Sequence, residues 1–107
     1  MEIRVDIDGT LCDYMDWDDA GEPVLESVFP RADVVDRVNE LFDEGETIVI
    51  WTARAEGERA ATEQQLRSFG VHYDRLEMGK PVFDLMIDDR ARHPKDWLCG
   101  TAYGRPW

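Results

Sequence analysis

Asp6 and Asp8 stand two residues apart in "VDIDGTLCDY", at the end of an apolar run and just before a Gly-Thr turn. A carboxylate in line with a bound phosphoryl group can attack it and carry it as an aspartyl phosphate. A second carboxyl beside the first can protonate the leaving oxygen and later take a proton from water. Three further places hold residues suited to the same chemistry: Thr52 at the end of "TIVIWT", Lys80 in "MGKP", and Asp88 with Asp89 at the close of "VFDLMIDD". A Thr hydroxyl and a Lys ammonium at one edge would bind the remaining phosphoryl oxygens. Carboxylates gathered there repel one another and raise at least one pKa unless a cation joins them. Oxygen ligands suit a hard ion such as Mg²⁺, which takes one or two carboxylates, keeps several waters and offsets charge on a transferring phosphoryl group.

Each of these features has a plainer reading on its own. An acidic pair at a strand end is often a turn or helix-capping signal, a lone Lys is usually a solvated charge, and Thr is a common strand residue. The D-x-D-G string is not an EF-hand loop, because residues 6–17 lack both a third acid before the Gly and a closing Glu. What raises the set above its parts is its order, with each member at the end or edge of an apolar segment.

Those segments define the elements that must position the set. "EIRVDID" alternates Ile3, Val5 and Ile7 with polar residues, as a strand does. Residues 11–29 are acidic and aromatic with a Gly-Glu-Pro turn, which reads as a loop or short hairpin. "PRADVVDRVNELFDEG" is an amphipathic helix with Val34, Val35, Val38, Leu41 and Phe42 on one face and Gly45 beyond its end. "TIVIWT" is a β-branched run suited to a strand buried on both faces. A weaker helical pattern covers residues 55–69 and closes at Gly70. "VHYDRLEM" reads as a third strand and "VFDLMIDD" as a fourth. The tail, with Pro94, Trp97, Pro106 and Trp107, reads as a short helix or coil folded back on the sheet. Alternation of strands and helices predicts a single α/β domain over residues 1–107, a three-layer open sheet, mostly parallel. Ligands bind outside the carboxyl ends of strands in such sheets, so the three chemically equipped strand ends should converge on one edge.

Composition narrows the partners. The 107 residues carry 24 acids against 12 Lys and Arg, a net charge of −12, which argues against nucleic acid and anionic membranes. No apolar run approaches a membrane span and the N-terminus has no signal-peptide pattern, so the expected compartment is the cytoplasm. Cys12 and Cys99 have no metal-ligand spacing and read as free thiols.

In their order, these residues resemble the four motifs of the haloacid dehalogenase superfamily of phosphohydrolases. The first motif is matched by Asp6, Ile7, Asp8, Gly9 and Thr10, the second by Thr52, the third by Lys80 and the fourth by "LMIDD". The resemblance implies that Asp6 is the nucleophile and a Mg²⁺ ligand. It implies that Asp8 is the general acid and base and gives its backbone carbonyl to the ion. Thr52 and Lys80 would hold the phosphoryl group, with Gly9 and Thr10 beside it, and Arg54, just past the second motif, would touch substrate. Asp88 would complete the metal site with Asp89 in support. Residues 11–29 leave room only for a small flap, where Tyr14, Trp17 and the acids Asp13, Asp16, Asp18 and Asp19 would line the entrance. There is no room for a cap domain. Capless members take large substrates at an open site or borrow a lid from a neighbouring subunit. The stretch "GETIVIWTAR…GKPVFDLMIDDR" also resembles a bacterial and phage subgroup that includes presumed phosphatases encoded with capsular-polysaccharide genes.

The expected function is therefore a Mg²⁺-dependent phosphatase of small phosphomonoesters, such as a sugar phosphate or nucleotide. A polynucleotide-end phosphatase and a non-catalytic phospho-acceptor domain are the alternatives. Against the second stands motif order, because a response-regulator receiver carries its acidic pair on the first strand.

Overall fold

The structure is a computed structural model and describes residues 1–13, 16–21, 23–24 and 28–99. Its centre is a three-stranded parallel sheet in the order β1 (Glu2–Val5), β4 (Thr47–Trp51), β5 (Arg75–Glu77). Between β1 and β4 run a two-stranded antiparallel hairpin, β2 (Asp16–Trp17) with β3 (Pro23–Val24), and the helix α1 (Ala32–Asp43). A 3₁₀ turn (Glu56–Glu58) leads into α2 (Arg59–Phe69) between β4 and β5, and α3 (Pro94–Leu98) follows β5. The α/β class and parallel sheet expected from the sequence are present, in an arrangement consistent with a three-layer open sheet. Among the described residues no helix is long and apolar enough to cross a membrane.

Period decides which side chains form the core. In α1, Val34, Val35, Val38 and Leu41 recur at helical spacing and are buried, with Phe42 packed at the margin. They meet Val5, Ile48, Ile50 and Leu76 from the sheet, together with Ile7 and Leu11 just beyond β1. Burial of each such aliphatic side chain contributes about 1.5–3 kcal/mol, which is what holds the helices to the strands. Leu66 on α2 joins the same core, and Gly70, at φ 73°, ends that helix in the left-handed conformation that favours glycine.

Alternation along the strands leaves a second, polar sheet face. The register places Val49 between Arg4 and Arg75, and Glu2 and Glu77 close a ring around it. Arg4 contacts Glu2 at 3.1 Å and Glu77 at 2.9 Å, and Arg75 contacts each of the same two acids at 2.9 Å. Under this ring Val49 is fully buried.

One expected element is corrected. Residues 81–90, which contain "VFDLMIDD", form no strand and are exposed throughout, Val82 at 88% and Ile87 at 90%. The physical reason is connection length. A parallel partner needs a crossover of roughly a dozen residues or more, whereas only Met78 to Pro81 separate β5 from this run. The third strand is also shorter than "VHYDRLEM": just before it the Asp74 N–H donates to the Ile48 carbonyl at 2.8 Å, while the Ile48 N–H donates to the Asp74 carboxylate at 2.7 Å. Cys12 is buried and Cys99 exposed, and both are free thiols as expected. Burial pushes the Cys12 thiol up to about 11. Tyr14, Pro106 and Trp107 lie outside the described residues.

Candidate active site

β1 and β4 run in parallel with Val5 opposite Ile50, so Asp6 and Thr52 emerge past the same end of the sheet. After β1 the chain makes a tight turn in which the Ile7 carbonyl accepts from the N–H groups of Thr10 (3.0 Å) and Leu11 (2.9 Å). Gly9 sits in this turn at φ 85°, a conformation few other residues adopt. The Gly9 carbonyl accepts from Arg31 Nη1 at 3.0 Å, and Arg31 Nε also donates to Asp13 at 3.2 Å. The start of α1 thus fixes the loop that carries Asp8.

Thr52 is buried, and its main chain joins the next two elements. Its N–H donates to the Glu77 carbonyl at 3.0 Å, and its carbonyl accepts from the Lys80 N–H at 2.9 Å. That second bond brings Lys80 over the sheet end, where its Nζ stands 4.0 Å from Asp6 Oδ1 and 5.1 Å from the Trp51 ring centre. Asp6 has its carboxyl raised above the usual range, chiefly by burial. Lys80 and a hydrogen bond from the Ile7 N–H oppose that rise, and Asp8 adds to it.

Asp8 faces a different partner. Its two oxygens accept from Arg54 Nε at 3.1 Å and Nη2 at 2.9 Å, a fork-shaped pair. Arg54 Nη1 donates to Thr62 on α2 at 3.2 Å, and the Arg54 backbone N–H donates to Thr52 Oγ1 at 3.2 Å.

A groove of about 790 Å³ runs from this end of the sheet along β1, with Asp6, Thr10, Lys80, Trp51, Asp88 and Arg90 on its wall. Asp8, Thr52 and Arg54 are not on that wall. Of the residues singled out in the sequence, Asp6, Asp8, Thr52, Arg54 and Lys80 come together, with Gly9 and Thr10 in the adjoining turn. The fourth motif does not arrive at a strand end. Asp88 reaches the groove from an exposed segment, its Oδ1 accepting from the Arg90 N–H at 2.8 Å, and Asp89 is exposed beside it.

The donor set bears on the expected cation. Among the described residues no three of His, Cys, Asp and Glu are grouped to hold a metal ion. The Asp8 carboxylate is engaged by Arg54, which leaves the Asp6 and Asp88 carboxylates on the groove wall. These suit a hydrated Mg²⁺, which needs only one or two carboxylates, and not a cluster of four acids.

Arg31, Thr62 and Trp51 were not singled out in the sequence. Arg31 and Thr62 lie inside helical patterns that read as scaffold, and no spacing links them to Gly9 or Arg54. Trp51 immediately precedes Thr52, and its place in a strand ending was the one available signal.

Neither the protein-family models nor the curated proteins give a match to this chain. Among solved structures, a structural-genomics target from Vibrio cholerae is similar, with a TM-score of 0.69 and 29% identity. The match covers 91% of this chain and 86% of that one. That protein is named only as a target, so the likeness bears on the fold.

Proposed function

We propose that this protein is a phosphatase of the haloacid dehalogenase type, hydrolysing a small phosphomonoester such as a sugar phosphate or nucleotide in the cytoplasm. The observation that carries the reading is the meeting of Asp6, Thr52 and Lys80 at one sheet end, with the Lys80 ammonium 4.0 Å from the Asp6 carboxylate. Asp6 is the nucleophile: it attacks phosphorus, the ester oxygen leaves, and an aspartyl phosphate forms. Lys80 offsets the negative charge that two anions bring together there. Thr52 Oγ1 already accepts from the Arg54 N–H, so its own hydrogen is the group it can donate to a phosphoryl oxygen. Asp8 protonates the leaving oxygen and then takes a proton from the water that hydrolyses the intermediate. Mg²⁺ on the Asp6 carboxylate would supply further charge neutralisation.

The test is phosphate release from a panel of small phosphomonoesters, with and without Mg²⁺, for the wild type and Asp6→Asn. The proposal expects Mg²⁺-dependent release that Asp6→Asn abolishes. No release from any ester, or equal release by the variant, overturns it. One observation favours a longer substrate: the open groove past Asp6 extends to Arg90 and Arg92, beside Asp88. A phosphorylated oligonucleotide that outcompetes every small ester would assign the chain to polynucleotide ends. The same open groove leaves room for a lid from a second copy of the chain.

A further inference from the structure

We infer that Arg54 is a positioning residue that fixes the Asp8 carboxylate from an anchor on α2, and not a contact to substrate. The inference rests on the phosphatase reading of Asp6 and Asp8. A guanidinium is a planar fork whose donors point in fixed directions. Here Nε and Nη2 each meet one Asp8 oxygen, and Nη1 meets Thr62 Oγ1, so all three nitrogens have partners on the protein. The Arg54 side chain is only 10% exposed, against 28% for Asp8. Its main chain is held at both ends: the N–H donates to Thr52 Oγ1, and the carbonyl accepts from the Gly79 N–H at 2.9 Å. Thr62 is itself buried, at 1% exposed. An arginine that binds a phosphate must turn its fork toward the place where the phosphate lands. The Arg54 fork is turned to Asp8 instead.

An aspartate that trades protons must be held in one rotamer, because a displacement of about 1 Å can cost roughly 100-fold in rate. Asp8 sits in the turn after β1, where an isolated backbone bridge to Cys12 holds its main chain and leaves its side chain to be fixed by another group. The fork does so, and Thr62 fixes the fork.

The experiment measures kcat and KM for wild type, Arg54→Met, Arg54→Lys and the near-isosteric Thr62→Val, on the best ester found. Arg54→Met should lower kcat by about 10- to 100-fold while KM moves less than about threefold, the signature of a group acting on the reacting step. Arg54→Lys should recover part of the loss, and Thr62→Val should lower kcat in the same direction by less. A raised KM with unchanged kcat in Arg54→Met would make Arg54 a substrate contact and overturn the inference, as would a wild-type kcat in Thr62→Val. Melting temperatures of Asp8→Asn, Arg54→Met and the double variant give a readout free of activity. The double variant should lose clearly less than the two single losses added, since both break one pair. If the wild type releases no phosphate, the phosphatase reading falls while the pairing stands on the melts alone, where additive losses would overturn it.

Discussion

Lys80 is tied to the sheet end at two points: its N–H is held by the Thr52 carbonyl at 2.9 Å, and its Nζ lies 4.0 Å from Asp6 Oδ1. Three motif positions far apart in the chain are therefore joined by one peptide contact and one ion pair. The ion pair opposes the rise that burial imposes on the Asp6 carboxyl.

That opposition has a measurable sign. In metal-free protein the Asp6 carboxyl should titrate above the ordinary carboxylate range, and Lys80→Met should move it higher still. A carboxyl raised in the folded state favours folding at low pH, and that contribution is lost as pH rises through the folded value. Carbon NMR of the Asp6 carboxyl in both proteins reads the effect. A lower value in Lys80→Met contradicts it.

The exposed run after Lys80 makes a second prediction. Ile87 is 90% exposed, so Ile87→Ser should change stability by no more than about 0.5 kcal/mol. Leu66 is fully buried, and Leu66→Ala should cost about 2–5 kcal/mol. Urea unfolding of both variants settles the comparison. A loss for Ile87→Ser as large as that for Leu66→Ala would place residues 82–87 inside a sheet.

That run also marks where the sequence was and was not informative. The α1 stripe, the β4 run and the first strand were legible because their burial pattern is set by local period, which the chain spells out. Asp6, Thr52 and Lys80 were legible because each follows or borders such an element. The fourth apolar run has the composition of a strand, but composition says nothing about whether the connection before it is long enough to reach a parallel neighbour. The fork between Arg54 and Asp8 depends on the direction of a side chain, and no sequence spacing encodes that. Substrate contact was the expectation for Arg54. What the structure supplies is its place against Asp8 and Thr62.

The ring over Val49 predicts acid sensitivity. Arg75 and Arg4 hold the Glu2 and Glu77 carboxyls below their ordinary range by direct hydrogen bonds. A carboxyl lowered in the folded state stabilises above its unfolded pKa, and that contribution fades as pH falls through the folded value. The melting temperature of wild type should exceed that of Glu77→Gln near neutral pH, and the gap should close on acidification. All four members are partly exposed, so added salt should narrow the gap as well. A gap that neither acid nor salt changes would remove the ring from the account.

The proposed phosphatase chemistry requires that Asp6 carry a phosphoryl group during turnover, and rapid quenching catches it there. Protein mixed with Mg²⁺ and a labelled phosphomonoester that it hydrolyses is quenched in acid within milliseconds, digested, and mapped by mass spectrometry. A hydroxylamine-labile phosphoryl group is expected on Asp6, absent from Asp6→Asn and longer-lived in Asp8→Asn if Asp8 is the proposed acid and base. Label on any other residue, or none during active turnover, would contradict that chemistry, and an Asp6 phosphate lasting many minutes in wild type would make the protein a switch and not an enzyme.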